Sequence, residues 1–198
     1  MYKFAVAEIF ESIQGEGIHV GKSANFIRFA GCNRACEWCD TDHTEKMQLS
    51  LEDILSKINF ENAMTVLTGG EPLIHEGISV LIKELRKMKL IKNPRHIVAI
   101  ETNGTLPTFG LEVDWVTASP KPPEYTLHND CIPFELKYVV DETLSLQDIT
   151  KERVPKGHIW LQPNAKDAEK SIDKAMTMLQ EDNTLRLGMQ LHKFYELP

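Results

Sequence analysis

Asn25-Phe26-Ile27-Arg28-Phe29-Ala30-Gly31-Cys32-Asn33-Arg34-Ala35-Cys36-Glu37-Trp38-Cys39-Asp40-Thr41 joins a short apolar run to a loop carrying three of the chain's four cysteines. The run reads as a buried strand, and the thiols crowd just past its carboxyl end. Thiolates favour soft metals and iron–sulfur centres, and a four-iron cubane held by three cysteines keeps one iron free for a ligand that is not protein. The alternative is a structural zinc site in which His43 completes a Cys3His tetrahedron. A disulfide framework fits less well, because Cys131 alone cannot pair off three partners.

Outward from this stretch, apolar runs rich in β-branched or aromatic residues recur at 63–68, 96–100, 114–118, 135–140 and 158–162, with a weaker one at 185–191. They read as further strands. Helical patterns lie between several of them: 51–60 behind a Ser50 cap, then Ile78, Leu81, Ile82, Leu85 and Met88 at helical spacing, then 168–181. Strand followed by helix implies parallel pairing, because a parallel connection needs a crossover. A complete eight-unit barrel takes about 250 residues. The link holding Asn103-Gly104 and Pro107 also leaves no room for a good helix. The expectation is an α/β fold, a truncated, open, TIM-like partial barrel of parallel strands with few crossover helices, in which residues 1–198 form a single domain.

In such sheets ligands sit beyond the carboxyl ends of the strands. The residues there are polar and specific: Gly31-Cys32, Gly69-Gly70-Glu71-Pro72, Glu101-Thr102-Asn103-Gly104, Ser119-Pro120-Lys121 and Gln162-Pro163-Asn164. The glycines of Gly69-Gly70-Glu71-Pro72 offer unhindered backbone, Glu71 offers a carboxylate to a positively charged amino group, and Pro72 stops the strand.

With 198 residues and 42% hydrophobic content, the chain can bury a sizeable core as one domain. A net charge of −7 and a pI near 5.5 argue against a nucleic-acid surface, which needs a basic face. No apolar run approaches the roughly eighteen residues that span a bilayer, and the first residues lack a signal-peptide apolar stretch. A cytoplasmic protein with reduced thiols is expected, without nucleic-acid or membrane partners. Lys83, Arg86, Lys87, Lys89, Lys92 and Arg95 break the acidic average. They form a solvated face or, alternatively, a docking surface for an acidic electron donor such as a flavodoxin.

The Cys-x3-Cys-x2-Cys loop, with Trp38 before its last cysteine, and the Gly-Gly-Glu-Pro turn together resemble the radical S-adenosylmethionine superfamily. There a reduced cluster injects one electron into the sulfonium of S-adenosylmethionine, and the resulting radical takes a hydrogen atom from substrate. Ile9 to Gly17, Arg28, Cys39-Asp40-Thr41, Leu67 to Pro72, Glu101 to Thr105, Ser119-Pro120-Lys121, Gln162-Pro163 and the last proline narrow the resemblance to the 7-carboxy-7-deazaguanine synthase family of queuosine and deazapurine biosynthesis. Its members convert 6-carboxy-5,6,7,8-tetrahydropterin to 7-carboxy-7-deazaguanine with loss of ammonia.

The resemblance implies one 4Fe-4S cluster on Cys32, Cys36 and Cys39, a magnesium ion on Thr41, and a homodimer. Pterin contacts fall to Ile13, Gln14, Gly15, Glu16, Arg28, Thr68 and the carboxylate of Pro198. For S-adenosylmethionine, Trp38, Cys39 and Asp40 would flank the adenine. Ser119, Pro120 and Lys121 would meet the methionine carboxylate or ribose, and Gln162, Pro163, Asn164 and Ala165 would close over the nucleoside. Gly70, Glu71 and Asn103 are further candidates. The chemistry agrees with this assignment, since a guanidinium at Arg28 can clasp a carboxylate in a bidentate pair unless a surface acid already holds it. A hydroxyl with waters and substrate oxygens suits magnesium, although Asp40 and Thr41 are also ordinary turn caps. His19, His75 and His128 read as surface or loop histidines, Cys131 as a partly buried thiol. Two rivals use the same loop: a small activase that installs a glycyl radical on a partner protein, and a noncatalytic zinc module.

Overall fold

The computed structural model describes residues 2–198. Its strands are β1 (Lys3–Ile13), β2 (Ser23–Phe29), β3 (Met47–Ser50), β4 (Met64–Gly69), β5 (Ile97–Thr102), β6 (Trp115–Ala118), β7 (Glu135–Val140), β8 (Ile159–Pro163) and β9 (Arg186–Leu187). They form one sheet in the order β3-β1-β2-β4-β5-β6-β7-β8-β9, with β3 and β9 at opposite edges. From β2 through β9 every pairing is parallel, while β1 pairs antiparallel with β2 and with β3. The sheet is an open partial barrel.

Helices α1 (Leu51–Ser56), α2 (Ile78–Lys92) and α3 (Ala168–Glu181) are joined near the chain's end by α4 (Leu191–Phe194). Ser50 starts α1 by a reciprocal capping box: its hydroxyl accepts from Asp53 N at 3.1 Å and the Asp53 carboxylate accepts from Ser50 N at 3.0 Å. One face of α2 buries Ile78, Leu81, Ile82 and Leu85 against the sheet, each worth about 1.5–3 kcal/mol relative to exposure. Helix α3 sets Ala175 and Met178 against the Leu136, Tyr138, Val140 and Leu161 face of β7 and β8. No helix of the protein is long and apolar enough to cross a membrane, among the described residues.

Alternation along the strands sorts the barrel's inner face. Its lower part, toward the strands' amino ends, is apolar: Ala24, Met64, Val66 and Ala99 pack with Phe26, Ile97 and Trp115. Two or four residues further along these runs come Arg28 on β2, Thr68 on β4, Glu101 on β5 and Ser119 just past β6, which line a cavity together with Lys137 of β7 and Gln162 of β8. The register enforces this level, pairing Arg28 with Thr68 on neighbouring strands.

Expected and observed elements differ in four places. Strand β1, the longest, is unexpected; a bulge after Val6 interrupts its alternation, and Ala5 and Ala7 are weak strand formers. Strand β3 is likewise unexpected. Helix α1 stops at Ser56, four residues short of the expected end, as the chain turns at Lys57. The expected strand at 185–191 shrinks to two residues, and Leu191 begins α4 instead.

Candidate active site

The cavity holds about 670 Å³ above the carboxyl ends of the parallel strands, and Cys32, Cys36 and Cys39 form part of its wall. All three thiols are free; Cys39 is exposed and the others half-buried. Burial raises the Cys36 thiol above its ordinary value, and its neighbours Cys39 and Cys32 raise it further, while the Lys121 ammonium opposes them. Mutual repulsion of this kind is felt only by sulfurs brought close together, and a cluster's positive charge would relieve it. Cys131 lies fully buried in the core beneath α3, away from the other three. Arg34 N donates to Cys32 Sγ at 3.4 Å, the kind of N–H···S contact that stabilises thiolate on iron. Among the described residues no three His, Cys, Asp or Glu side chains gather around a position for a single metal ion. The donor set fits a cubane with one corner left to a ligand.

Two glycines let the loops meet. A Cβ on Gly70 would collide with Gly31 O and the Cys32 side chain, and one on Gly69, at φ +131°, with the backbone of Phe29. Gly70 N donates to Phe29 O at 3.2 Å and Glu71 N to Gly31 O at 3.0 Å, so the Gly-Gly-Glu-Pro turn buttresses the cysteine loop. Glu71 does something other than expected. It is fully buried and off the cavity wall, and its carboxylate accepts from Leu73 N, Thr102 Oγ1 and Asn103 N at 2.7–3.1 Å. Burial raises its pKa against those donors. A side chain with its oxygens so engaged braces two loops and offers nothing to an amino group. Asn103, in turn, reaches the cysteine loop by donating to Asn33 Oδ1 at 2.7 Å.

On one flank Lys121 donates to Ser119 Oγ at 2.7 Å and lies 5.2 Å from the Trp38 ring centre; burial, aided by nearby Lys137, pushes its ammonium down to about 8. Trp38 Nε1 donates to Asp141 at 3.2 Å. Gln162 Oε1 is buried without a hydrogen-bond partner, an acceptor left for a ligand's donor. Pro163, Asn164 and Ala165 continue this wall, with Asn164 capping a short turn through Lys166 N at 3.0 Å.

On the other flank Gln14 donates to Glu101 at 3.0 Å, as does Thr68 Oγ1. Glu16 is ion-paired with Lys137 and accepts from Gln190 Nε2 at 2.8 Å. Ile13, Asp40, Thr41 and Pro198 also line the cavity, and Thr41 Oγ1 sits 3.5 Å from Asp40 Oδ1. Arg28 faces the cavity but already bonds Glu8 at 2.6 Å, with its guanidinium 5.5 Å from the Phe10 ring centre. Gly15 and Pro120 are not on the wall; Gly15 instead gives close passage to α4, where a Cβ would strike His192.

The structure adds Lys137, Gln190, His192 and Lys193 to the wall, none of them among the residues expected there. A lysine amid the buried run 135–140 was the available signal, since lysine is seldom buried unpaired. The other three depend on α4 folding back over the mouth, where Leu191 N donates to Gly15 O at 3.0 Å and Lys193 pairs with Asp40. No local pattern announces that.

Residues 26–118 match the radical SAM superfamily. The 7-carboxy-7-deazaguanine synthase of Haemophilus influenzae is 32% identical over 96% of this chain and 92% of its own length. The chain belongs to the 7-carboxy-7-deazaguanine synthase family. Its relative of the same name in Bacteroides thetaiotaomicron is 36% identical, covering 97% of each chain. The crystal structure of QueE from Escherichia coli superposes with a TM-score of 0.70 at 27% identity, over 96% of this chain and 95% of that one. A radical synthase of this family requires a 4Fe-4S cluster and S-adenosylmethionine, for which the three thiols and the orphan acceptor of Gln162 are suited. Among the basic residues of α2, Arg86 and Lys89 bond Asp114 at 3.2 and 2.6 Å, and Lys87 bonds Glu84 at 2.5 Å.

Proposed function

We propose that the chain is a radical S-adenosylmethionine lyase that converts 6-carboxy-5,6,7,8-tetrahydropterin to 7-carboxy-7-deazaguanine with loss of ammonia. The carrying observation is one cavity that joins three free thiols to a row of acceptors and a guanidinium on the opposite flank. Cys32, Cys36 and Cys39 would hold the cluster, and Ser119, Lys121, Trp38, Gln162 and Asn103 would orient S-adenosylmethionine. When bound, these cofactors supply the one-electron chemistry that removes a hydrogen atom from the pterin.

The remaining work belongs to the protein's own side chains. Gln14, Glu16 and Glu101 accept from the N–H edge of the ring, Thr68 fixes Glu101, and Arg28, shared with Glu8, meets the pterin carboxylate. Asp40 and Thr41 offer oxygens at the mouth for a magnesium ion. The single domain of residues 1–198 works in the cytoplasm as a homodimer, with electrons from a small acidic donor such as a flavodoxin. The test is anaerobic incubation of reconstituted protein with reductant, S-adenosylmethionine and carboxytetrahydropterin. Deazaguanine should form without any partner protein, which also separates this reading from a glycyl-radical activase; absence of product would overturn it.

A further inference from the structure

Lys137 is a charged side chain in the middle of a strand whose neighbours Leu136, Tyr138 and Val140 are core. Its stem is nearly covered, its side chain 15% exposed, and it reaches across the barrel to Glu16, which lies 121 residues away and is 11% exposed. The Glu16 carboxylate is held at both oxygens: Lys137 donates to Oε2 and Gln190 Nε2 to Oε1 at 2.8 Å. Both members of the pair line the cavity. A buried ion pair is a poor way to stabilise a fold, since an apolar pair of similar volume does as well or better. Its persistence here calls for a role in the site.

We infer that Lys137 is a positioning residue: with Gln190 it clamps the Glu16 carboxylate so that its free lone pairs face the cavity and accept the N–H edge of an aminopyrimidinone ring. The inference rests on the pterin reading above and adds to it the group that fixes this acceptor. An ionised carboxylate only accepts, whereas a protonated one presents a donor to the ring's own donors. Burial alone would push Glu16 toward protonation, and Lys137, Gln190 and His192 reverse this and hold it below the usual carboxylate range. The other charges around the pair are Glu101 on β5, Lys121 beyond β6, Glu135 on β7, Asp40 on the cysteine loop and Lys193 on α4. Lys137 itself is held charged: burial opposes its charge, but Glu16, Glu101 and Glu135 outweigh it.

The sign follows. With Lys137 present, Glu16 accepts across the neutral range. Without it, Glu16 takes up a proton as pH falls, and ring binding is lost on the acid side. The experiment is calorimetric binding of carboxytetrahydropterin to reconstituted protein with S-adenosylmethionine and no reductant, from about pH 6 to about pH 8.5. Wild type should bind with little pH dependence from this group. K137Q should bind about ten- to a hundredfold more weakly at the acid end and recover toward the alkaline end, and K137R should restore affinity. The K137M/E16Q double variant, which leaves no buried charge unpaired, should bind weakly with no pH dependence from this site. A K137Q that matches wild type, a loss independent of pH, or a double variant that keeps an acid limb overturns the inference alone. A wild type that binds no pterin overturns it together with the reading beneath it.

Discussion

Glu135 and Lys137 sit two residues apart on the same face of β7, both nearly buried, and they do opposite work. Glu135 lies at the lower, apolar level, where its carboxylate accepts from Trp115 Nε1, Thr117 Oγ1, Trp160 Nε1 and Ile18 N at 2.8–3.2 Å. Four donors from three parts of the chain, two of them on β6, saturate it, and it is not on the cavity wall. Lys137 stands one level higher, where the pair it makes with Glu16 borders open space. Saturation makes a charged group structural, and lone pairs left over beside a cavity make one available to a ligand.

The contrast predicts which level affects chemistry and which affects stability. The largest effect is expected at the rim. Cys36→Ala should abolish S-adenosylmethionine cleavage while the protein remains folded; cleavage by a folded variant would refute its assignment as a ligand. At the lower level Glu135→Ala strands four donors and should cost about 3–5 kcal/mol in urea unfolding. A loss below about 1 kcal/mol would mean that the carboxylate is not the tie it resembles. Arg28→Ala, on the upper level, should raise the KM for pterin about ten- to a hundredfold with iron content unchanged, because the substrate carboxylate loses its partner and the other group released, Glu8, is no ligand of the cluster. Equal KM in variant and wild type would leave Arg28 as the partner of Glu8 alone. Smallest, Ser50→Ala should remove the α1 cap for about 1 kcal/mol and leave turnover untouched; a turnover defect would connect this remote end to the site.

The parallel strands were legible because both faces of each are buried, which leaves long runs of Val, Ile, Leu and Ala with turn residues at fixed ends. The run 135–140 and the helix 168–181 match residue for residue. The thiols were legible from spacing alone. What escaped depends on distance in sequence. Glu71 looks like a ligand in its turn and becomes a brace only when Thr102 and Asn103 arrive from another strand end. Lys137 stands in a run read as a buried strand, and its partner Glu16 reaches it only from the first hairpin. Strand β1 was hidden by its bulge, and α4 by its brevity.

The central claim is that the three rim thiols hold a cluster with one iron open to S-adenosylmethionine. Electron paramagnetic resonance of reconstituted, reduced protein, recorded with and without the nucleotide, tests it most directly. About four irons and four sulfides per chain, and g-values that move when S-adenosylmethionine is added, are the expected result. A colourless protein carrying about one zinc, or a spectrum indifferent to the nucleotide, would contradict it.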